Sequence, residues 1–528
     1  MKKLLLLSTI ILFLIGCSKE FTELKPQQNV FTSDVFTILP TARAAVNGLY
    51  SLMQEQGYYG REALAIPEMI SDNMTRSVKA SQEANFNTMT FSTTQSEVRL
   101  LWDQLYKVIG SANAVIANEE SIKKLGTAVT QIECSQLVGE AYAVRAMAYF
   151  DLAKFFSRPL KSTSDGSHLC VPLLVESITD VEKIVFPSRN KASEVYAQID
   201  NDITEAIKRL PSNGDVYING VVSTTFTKIR MNHWSTLALK ARVAIYKEDW
   251  ATAIAASSEV ISSGKFTLFN YAGMYQDFQT NGNQESILEI ANNTNDNPGN
   301  NSYAYLTNQS GYGDALATKQ TMNSKSTGTT LSTFKGLYDI YTATDVRRKF
   351  VELGNRNAIG GESNVPLCLK YQNISTYVEN IKVFRFAEMY LSRGEAYARL
   401  ALLNNDAASL TASLTDINLI RKARDTASAT KLFAASVLAT PPTGSISTAA
   451  FLDSIIVERR KEFSLEGQRL FDLNRTKKNY VKIRSAGSST SVLVDYANPA
   501  STYFIRTILP IPNAAILSNK NLIQNEGY

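Results

Sequence analysis

The tripeptide Lys247-Glu248-Asp249 limits this chain's possible folds more than any other feature, because it separates two amphipathic segments by too few residues for anything but a reversal. Before it, Arg230 to Tyr246 carries Trp234, Leu237, Ala238, Ala241 and Tyr246; after it, Trp250 to Ser263 continues with Trp250, Ala253 and Ile254. Apolar residues recurring at steps of three and four mark a helix that buries one face. A link this short then permits only an antiparallel helical hairpin. Bulky residues mix with small ones that allow close helix approach, as in tetratricopeptide-type repeats.

The same pattern recurs along the chain. Phe384 to Leu402 and Asp406 to Arg424 form a second pair, with Phe384, Ala387, Leu391, Gly394, Ala398 and Leu402 facing Leu410, Leu414, Ile417 and Ile420. From Gln136 to Phe155, positions 137, 141, 144, 148, 152 and 155 are apolar or small, and Thr130-Gln131-Ile132-Glu133 upstream fits a capping box. Lys191 to Leu210, closed by Pro211, sets Val195, Ile199, Ile203, Ile207 and Leu210 on one side. With segments at Thr41 to Met53 and Val98 to Ala117, these make four degenerate hairpins, the first joining 41–53 to 98–117 and the second joining the helices at 136 and 191. The expected fold is mainly α, with helical repeats over about 41–265 and 384–425.

Between the third and fourth hairpins, over about 266–383, the texture changes to Asn, Gly, Ser, Thr and Tyr, which predicts an irregular, loop-rich lobe. The run Asn292 to Asn301 cannot bury a core, and its Asn and Gly residues tolerate the turns of a displayed loop. Its Asn295-Asp296-Asn297 falls short of a dedicated calcium loop. Tyr303, Tyr305 and Tyr312 follow. Aromatic rings among amides suit a sugar, which offers an apolar C–H face to stack on and hydroxyls to bond. These three are the first candidate ligand contacts, joined by Tyr58 and Tyr59, flanked by Gly57 and Gly60 in an expected turn, and by Phe86 ahead of the Trp102 helix.

The amino terminus reads as an export signal. Lys2 and Lys3 precede an apolar run from Leu4 to Ile15 that is too short to span a bilayer. The run ends in Leu14-Ile15-Gly16-Cys17, the arrangement of a bacterial lipobox, so residues 1–16 are expected to be removed and Cys17 to carry the lipid. Several acyl chains on one residue anchor a protein firmly, at about 0.8 kcal/mol per buried methylene. Ser18-Lys19-Glu20 then resembles the short charged signals that send lipoproteins to the cell surface.

Composition excludes several function classes. At 44% hydrophobic and 20% charged residues, most of the chain is globular rather than disordered. A net charge of +5 with no long Lys/Arg run leaves no footprint for nucleic acid. Beyond Cys17, Cys134, Cys170 and Cys368 form no CxxC, and they are compatible with one disulfide or with buried free thiols. The two histidines, His168 and His233, lie outside any short metal-ligand spacing, so neither a metal nor a cofactor is expected. Glu458, Glu462 and Glu466 stand one helical turn apart and admit a glycoside hydrolase pair. Arg459, Arg460, Lys461 and Arg469 are interleaved with them, which favours ion pairs over poised acids, and no other catalytic motif is present.

Specific strings carry a family resemblance in order along the chain. They are Trp102, Tyr106, Ile109 and Asn113; Glu140 to Phe156 with Pro159-Leu160; Arg189 to Tyr196 with Asp202; Arg385 to Leu391 with Glu395-Ala396; and Ile417 to Arg421. Glu458 to Arg475, Leu509 to Pro512 and Asn521 to Tyr528 complete the set. Together they resemble the SusD/RagB family of nutrient-binding lipoproteins of Bacteroidetes-type bacteria, from the lipobox to the last residue. The resemblance implies a single SusD-like unit over 17–528, with four tetratricopeptide-like hairpins, a ligand lobe against them and a family region over about 450–528. It also implies a place in the outer membrane facing the cell exterior. There such a protein captures a glycan or related polymer as the lid of a SusC-like TonB-dependent transporter barrel, with the hairpins toward the barrel. A tetratricopeptide-type adaptor that binds protein only is the alternative.

Overall fold

The computed structural model describes residues 34–77, 83–178, 181–320, 335–356, 362–438, 440–484 and 491–528. The export signal and Cys17 lie outside the described residues. The main helices are α1 (Leu39–Gln54), α2 (Glu62–Ile70), α3 (Ser96–Ala117), α4 (Gln131–Phe156), α5 (Ala192–Arg209), α6 (His233–Lys247), α7 (Trp250–Ser262), α8 (Phe386–Asn404), α9 (Ala407–Arg424), α10 (Thr448–Glu462) and α11 (Arg469–Thr476). Each expected hairpin is present: α1 packs on α3, α4 on α5, α6 on α7 and α8 on α9. Neighbouring pairs stack through α3 on α4, α5 on α6 and α7 on α8. Among the described residues no helix is long and apolar enough to cross a membrane.

Two of the hairpins share one linking device. In the α6–α7 link, Glu248 adopts the left-handed conformation (φ 59°), and Asp249 accepts the Thr252 N–H at 3.1 Å. In the α8–α9 link, Asn405 does the same (φ 52°), and Asp406 accepts the Ala408 N–H at 2.9 Å. A left-handed residue ends one helix and an Asp cap starts the next, which satisfies orphan groups at both ends. Within the last pair, a Cβ on Gly394 would come within 2.7 Å of Ile417 Cδ1, so glycine sets how closely α8 and α9 approach.

Two local expectations are corrected. The capping box at Thr130 does not form: the Thr130 hydroxyl turns back to accept the Thr127 N–H at 2.9 Å. Glu133 is drawn away by Arg43 at 2.5 Å and by the Asn219 N–H at 2.6 Å, because a guanidinium outcompetes a backbone amide for a carboxylate. Phe384 lies in a strand rather than in the helix that begins at Phe386.

The strands of three or more residues are β1 (Met74–Arg76), β2 (Ser286–Ile290), β3 (Ala315–Ala317), β4 (Leu353–Arg356), β5 (Glu362–Pro366), β6 (Ile381–Arg385), β7 (Tyr480–Ile483) and β8 (Ser491–Val494). They pair antiparallel, two at a time: β1 with β3, β2 with β6, β4 with β5 and β7 with β8. Both β2 and β6 are buried throughout, and Phe269, Phe278, Phe350 and Tyr371 join the main core, so the lobe over 266–383 shares its interior with the helices. Cys134, Cys170 and Cys368 are buried free thiols.

Candidate functional site

The charged string at 458–475 is the first candidate, and its geometry is that of a buried ionic lattice. Glu462 meets Arg385 at 2.9 Å, Arg347 at 3.1 Å and Arg424 at 3.2 Å. Glu285 bridges Arg424 and Arg385, while Glu466 pairs with Arg385 at 2.8 Å and with Lys370. Glu458 pairs with Arg347 at 2.6 Å. Burial alone would raise the Glu462 carboxyl, but Arg424, Arg385 and Arg347 outweigh it and hold the group well below the usual carboxylate range. A carboxyl so held has no proton to give at neutral pH, so Glu462 does not fit the acid of a glycosidase pair. The string instead ties β2, β6, α9 and α10 together.

The six aromatic candidates separate sharply. Tyr58, Phe86 and Tyr303 are at most 1% exposed and Tyr59 is 8% exposed, so none of the four offers a ring face to solvent. Tyr58 and Tyr59 turn inward because Asp151, buried on α4, needs donors; it accepts their hydroxyls at 2.5 and 3.1 Å. Burial and the neighbouring Asp151 push both phenols well above their ordinary range. Phe86 packs on Phe91 with centroids 5.1 Å apart, and Tyr303 packs edge-on to Tyr371 at 5.7 Å. These four residues belong to the main core.

Tyr305 and Tyr312 remain at the surface, half-buried, and they meet edge to face with centroids 4.9 Å apart. The short helix Tyr303–Thr307 begins where the Ser302 hydroxyl accepts the Tyr305 N–H at 3.1 Å. The chain then turns back so that the Tyr312 N–H bonds the Tyr305 carbonyl at 2.8 Å. Gly311 permits that return, since a Cβ there would lie 2.3 Å from the Tyr305 carbonyl oxygen. From below, the buried Arg356 fixes the turn by donating to the Tyr312 carbonyl at 3.2 Å and pairing with Asp314 at 2.9 Å.

A third ring completes the group. Tyr377 lies 6.3 Å from Tyr305, and its hydroxyl donates to Asn300 Oδ1 at 2.5 Å. Its backbone is left-handed (φ 57°), which is costly for a bulky residue and marks a place where the surroundings dictate the conformation. The turn that presents it is closed by Asn373, whose Oδ1 accepts the Thr376 N–H at 3.1 Å. Partial burial and the neighbouring Tyr305 raise the Tyr377 phenol, so it stays a neutral donor. Asn308 Nδ2 bonds the Gln372 carbonyl at 2.8 Å and so joins the two loops behind the rings. Periodicity and loop composition miss Tyr377, because it stands far from the Asn-rich run in sequence; the Asx turn at Asn373 is the one local signal for it.

Comparison with known proteins bears on the family and the fold. Residues 368–528 match the family described as SusD family, and residues 20–244 match the one described as starch-binding associating with outer membrane. A SusD-like protein of Formosa agariphila is 25% identical over 100% of both chains. A SusD superfamily structure from Bacteroides thetaiotaomicron aligns over 92% of this chain and 99% of its own, at 21% identity and a TM-score of 0.73. A structure described as a laminarin binding SusD-like protein aligns over 93% of this chain and 100% of its own, at 21% identity and a TM-score of 0.64. With both parts of the sequence matching, a full-length relative and the shared fold of paired helices, the chain belongs to the SusD family.

Proposed function

We propose that this protein is a lipid-anchored receptor of the outer-membrane surface that captures a glycan without cleaving it and delivers it to a TonB-dependent transporter of the SusC type, over which it sits as a lid. The observation that carries the reading is the surface group of Tyr305, Tyr312 and Tyr377, set among the amides of Asn300, Asn308 and Gln372. Ring faces for C–H stacking, beside donors and acceptors for hydroxyls, are the chemistry of sugar recognition. Binding without cleavage is supported by the ion pairs of Glu458, Glu462 and Glu466, which tie up the carboxylates that a hydrolase would use. The family description naming starch binding and outer-membrane association, and the laminarin-binding relative, support the ligand class and the location. The lipobox at Cys17 supports the anchor.

The test uses soluble protein beginning at Lys19, titrated with a panel of polysaccharides, oligosaccharides and mucin-type glycans, with thin-layer chromatography of the same mixtures. Binding without new products is expected, weakened about tenfold by Tyr305→Ala or Tyr377→Ala, the loss of roughly one stacked ring. New products would replace the reading with an enzyme. A clean absence of binding across the panel would replace it with an adaptor for protein or a receptor for a nutrient other than a glycan.

A further inference from the structure

Among the described residues, every buried arginine meets a carboxylate except Arg189. Arg189 donates only to neutral groups: the Cys170 carbonyl at 2.5 Å, the Ile523 carbonyl at 3.0 Å, the Leu169 carbonyl at 3.1 Å, the Phe156 carbonyl at 3.4 Å and Asn525 Oδ1 at 2.8 Å. Arg158, at the turn that follows α4, is the same kind of group. It donates to Thr507 Oγ1 at 2.6 Å and to the Phe504 and Ile505 carbonyls at 3.2 and 3.4 Å, and among the described residues no carboxylate lies within ion-pair distance of it. Carbonyls satisfy N–H donors without cancelling the charge, so positive potential accumulates where these two side chains meet.

They meet at a cleft. Arg158, His168 and Arg189 line a cavity of ≈ 750 Å³ together with Phe504 and Asn525 from the C-terminal segment. A second cavity of ≈ 320 Å³ shares Arg158, Phe504 and Glu526 with it and adds Lys477 and Tyr496. Arg158 stacks on the Phe504 ring at 3.9 Å, which fixes the plane of its guanidinium. Of its five donors the bonds above leave two, the Nε–H and one on Nη1, for a ligand. Burial lowers its pKa to about 10, because the nearby Glu526 offsets the lost hydration only in part. The acidic side chain lining both cavities is Glu526, which is exposed at their rim.

We infer that the cleft between the end of α4 and the C-terminal segment is an anion-binding site, in which Arg158 takes a carboxylate or sulfate group such as an acidic saccharide carries. The larger cavity has the volume of a small-ligand pocket, and Phe504 and Ile508 give it apolar faces beside the charge, while Tyr496 does so in the smaller one. Guanidinium planes pair with such oxyanions through two parallel hydrogen bonds. The site shares no residue with the Tyr305 group and stands independently of it.

Calorimetric titration of soluble protein beginning at Lys19 with sodium sulfate, sodium D-glucuronate and neutral glucose, at fixed ionic strength, tests the assignment. Saturable binding of an anion but not of glucose is expected, weakened about tenfold or more by Arg158→Gln, tightened by Glu526→Gln and unchanged by Tyr305→Ala. Tighter binding of glucuronate than of sulfate assigns the cleft to an acidic sugar; the reverse assigns it to a free oxyanion. Absence of saturable binding by either anion overturns the inference, as does binding that Arg158→Gln leaves intact. If Arg158→Gln fails to fold, Glu526→Gln decides alone, and an unchanged affinity in that variant overturns the inference.

Discussion

At the scale of single residues, the buried charges make the sharpest predictions, because removing one partner strands the others. Glu462 is fully buried and answers three guanidinium groups, so Glu462→Gln leaves those cations facing one another with less negative charge between them. Breaking a buried pair in this way costs about 3–5 kcal/mol, and a urea midpoint shifted by much less would show that the lattice relaxes around the loss. The same residues set the acid limit of the fold. Asp72, pulled down by Arg460 and Arg469 against its burial, and Asp472, pulled down by Arg459 and Arg475, are each lowered to about 2. A carboxylate held below its unfolded value binds fewer protons in the native state, so its contribution is complete above about pH 4 and disappears as pH falls toward 2. Each group supplies about 2 kcal/mol on that basis. Glu68 runs the other way: burial raises it to about 7, so its contribution is complete below about pH 4.5 and is lost as pH rises through 7. Urea midpoints should therefore drop steeply as pH falls from 4 to 2, and decline again as pH rises from about 4.5 to 7. A flat acid limb would contradict the lattice.

At the scale of elements, the helical hairpins follow from spacing and link length, and the sequence makes both visible. The links also carry their own stability. Asp249 and Asp406 each cap a helix from a two-residue turn, and Asp249→Ala or Asp406→Ala should cost about 1 kcal/mol in chemical denaturation. A neutral result would mean that packing alone holds the turn. Legibility fails where the deciding partner is far away in sequence. Tyr58 and Tyr59 look displayed beside Gly57 and Gly60, yet a buried acid on α4, Asp151, draws them inward. Thr130 and Glu133 have capping-box spacing, yet Arg43 on α1 captures the glutamate. Tyr303 and Tyr305 are two residues apart on one short helix, and the helical turn sends the first ring into the core and the second to the surface. Composition finds the loop that supplies Tyr305 and Tyr312, but pairing with Tyr377 is a fact of tertiary structure.

At the scale of the whole molecule, the hairpins and the lobe cannot separate cheaply. Glu285 enters the lattice next to β2, Arg385 from β6, Arg424 from α9 and Glu462 from α10, so the strands of the lobe and the last helical pair share the same buried charges. Pulling the lobe away would expose β2 and β6 and strand at least one of those charges without its partner, a penalty of several kcal/mol on top of the lost apolar contact. Partial unfolding of either part is then nearly as costly as unfolding both, which predicts one cooperative transition. The tryptophans test it, because Trp102, Trp234 and Trp250 all lie on hairpin helices and report on that part alone. Hydrogen exchange of 286–290 and 381–385 reports on the lobe. Under increasing urea the fluorescence midpoint and the loss of protection in those strands should coincide, and Glu462→Gln should move both together. Strand protection lost while the fluorescence stays native would mean that the lobe opens as a separate unit. The lattice would then act as a latch between two bodies and not as the shared interior of one.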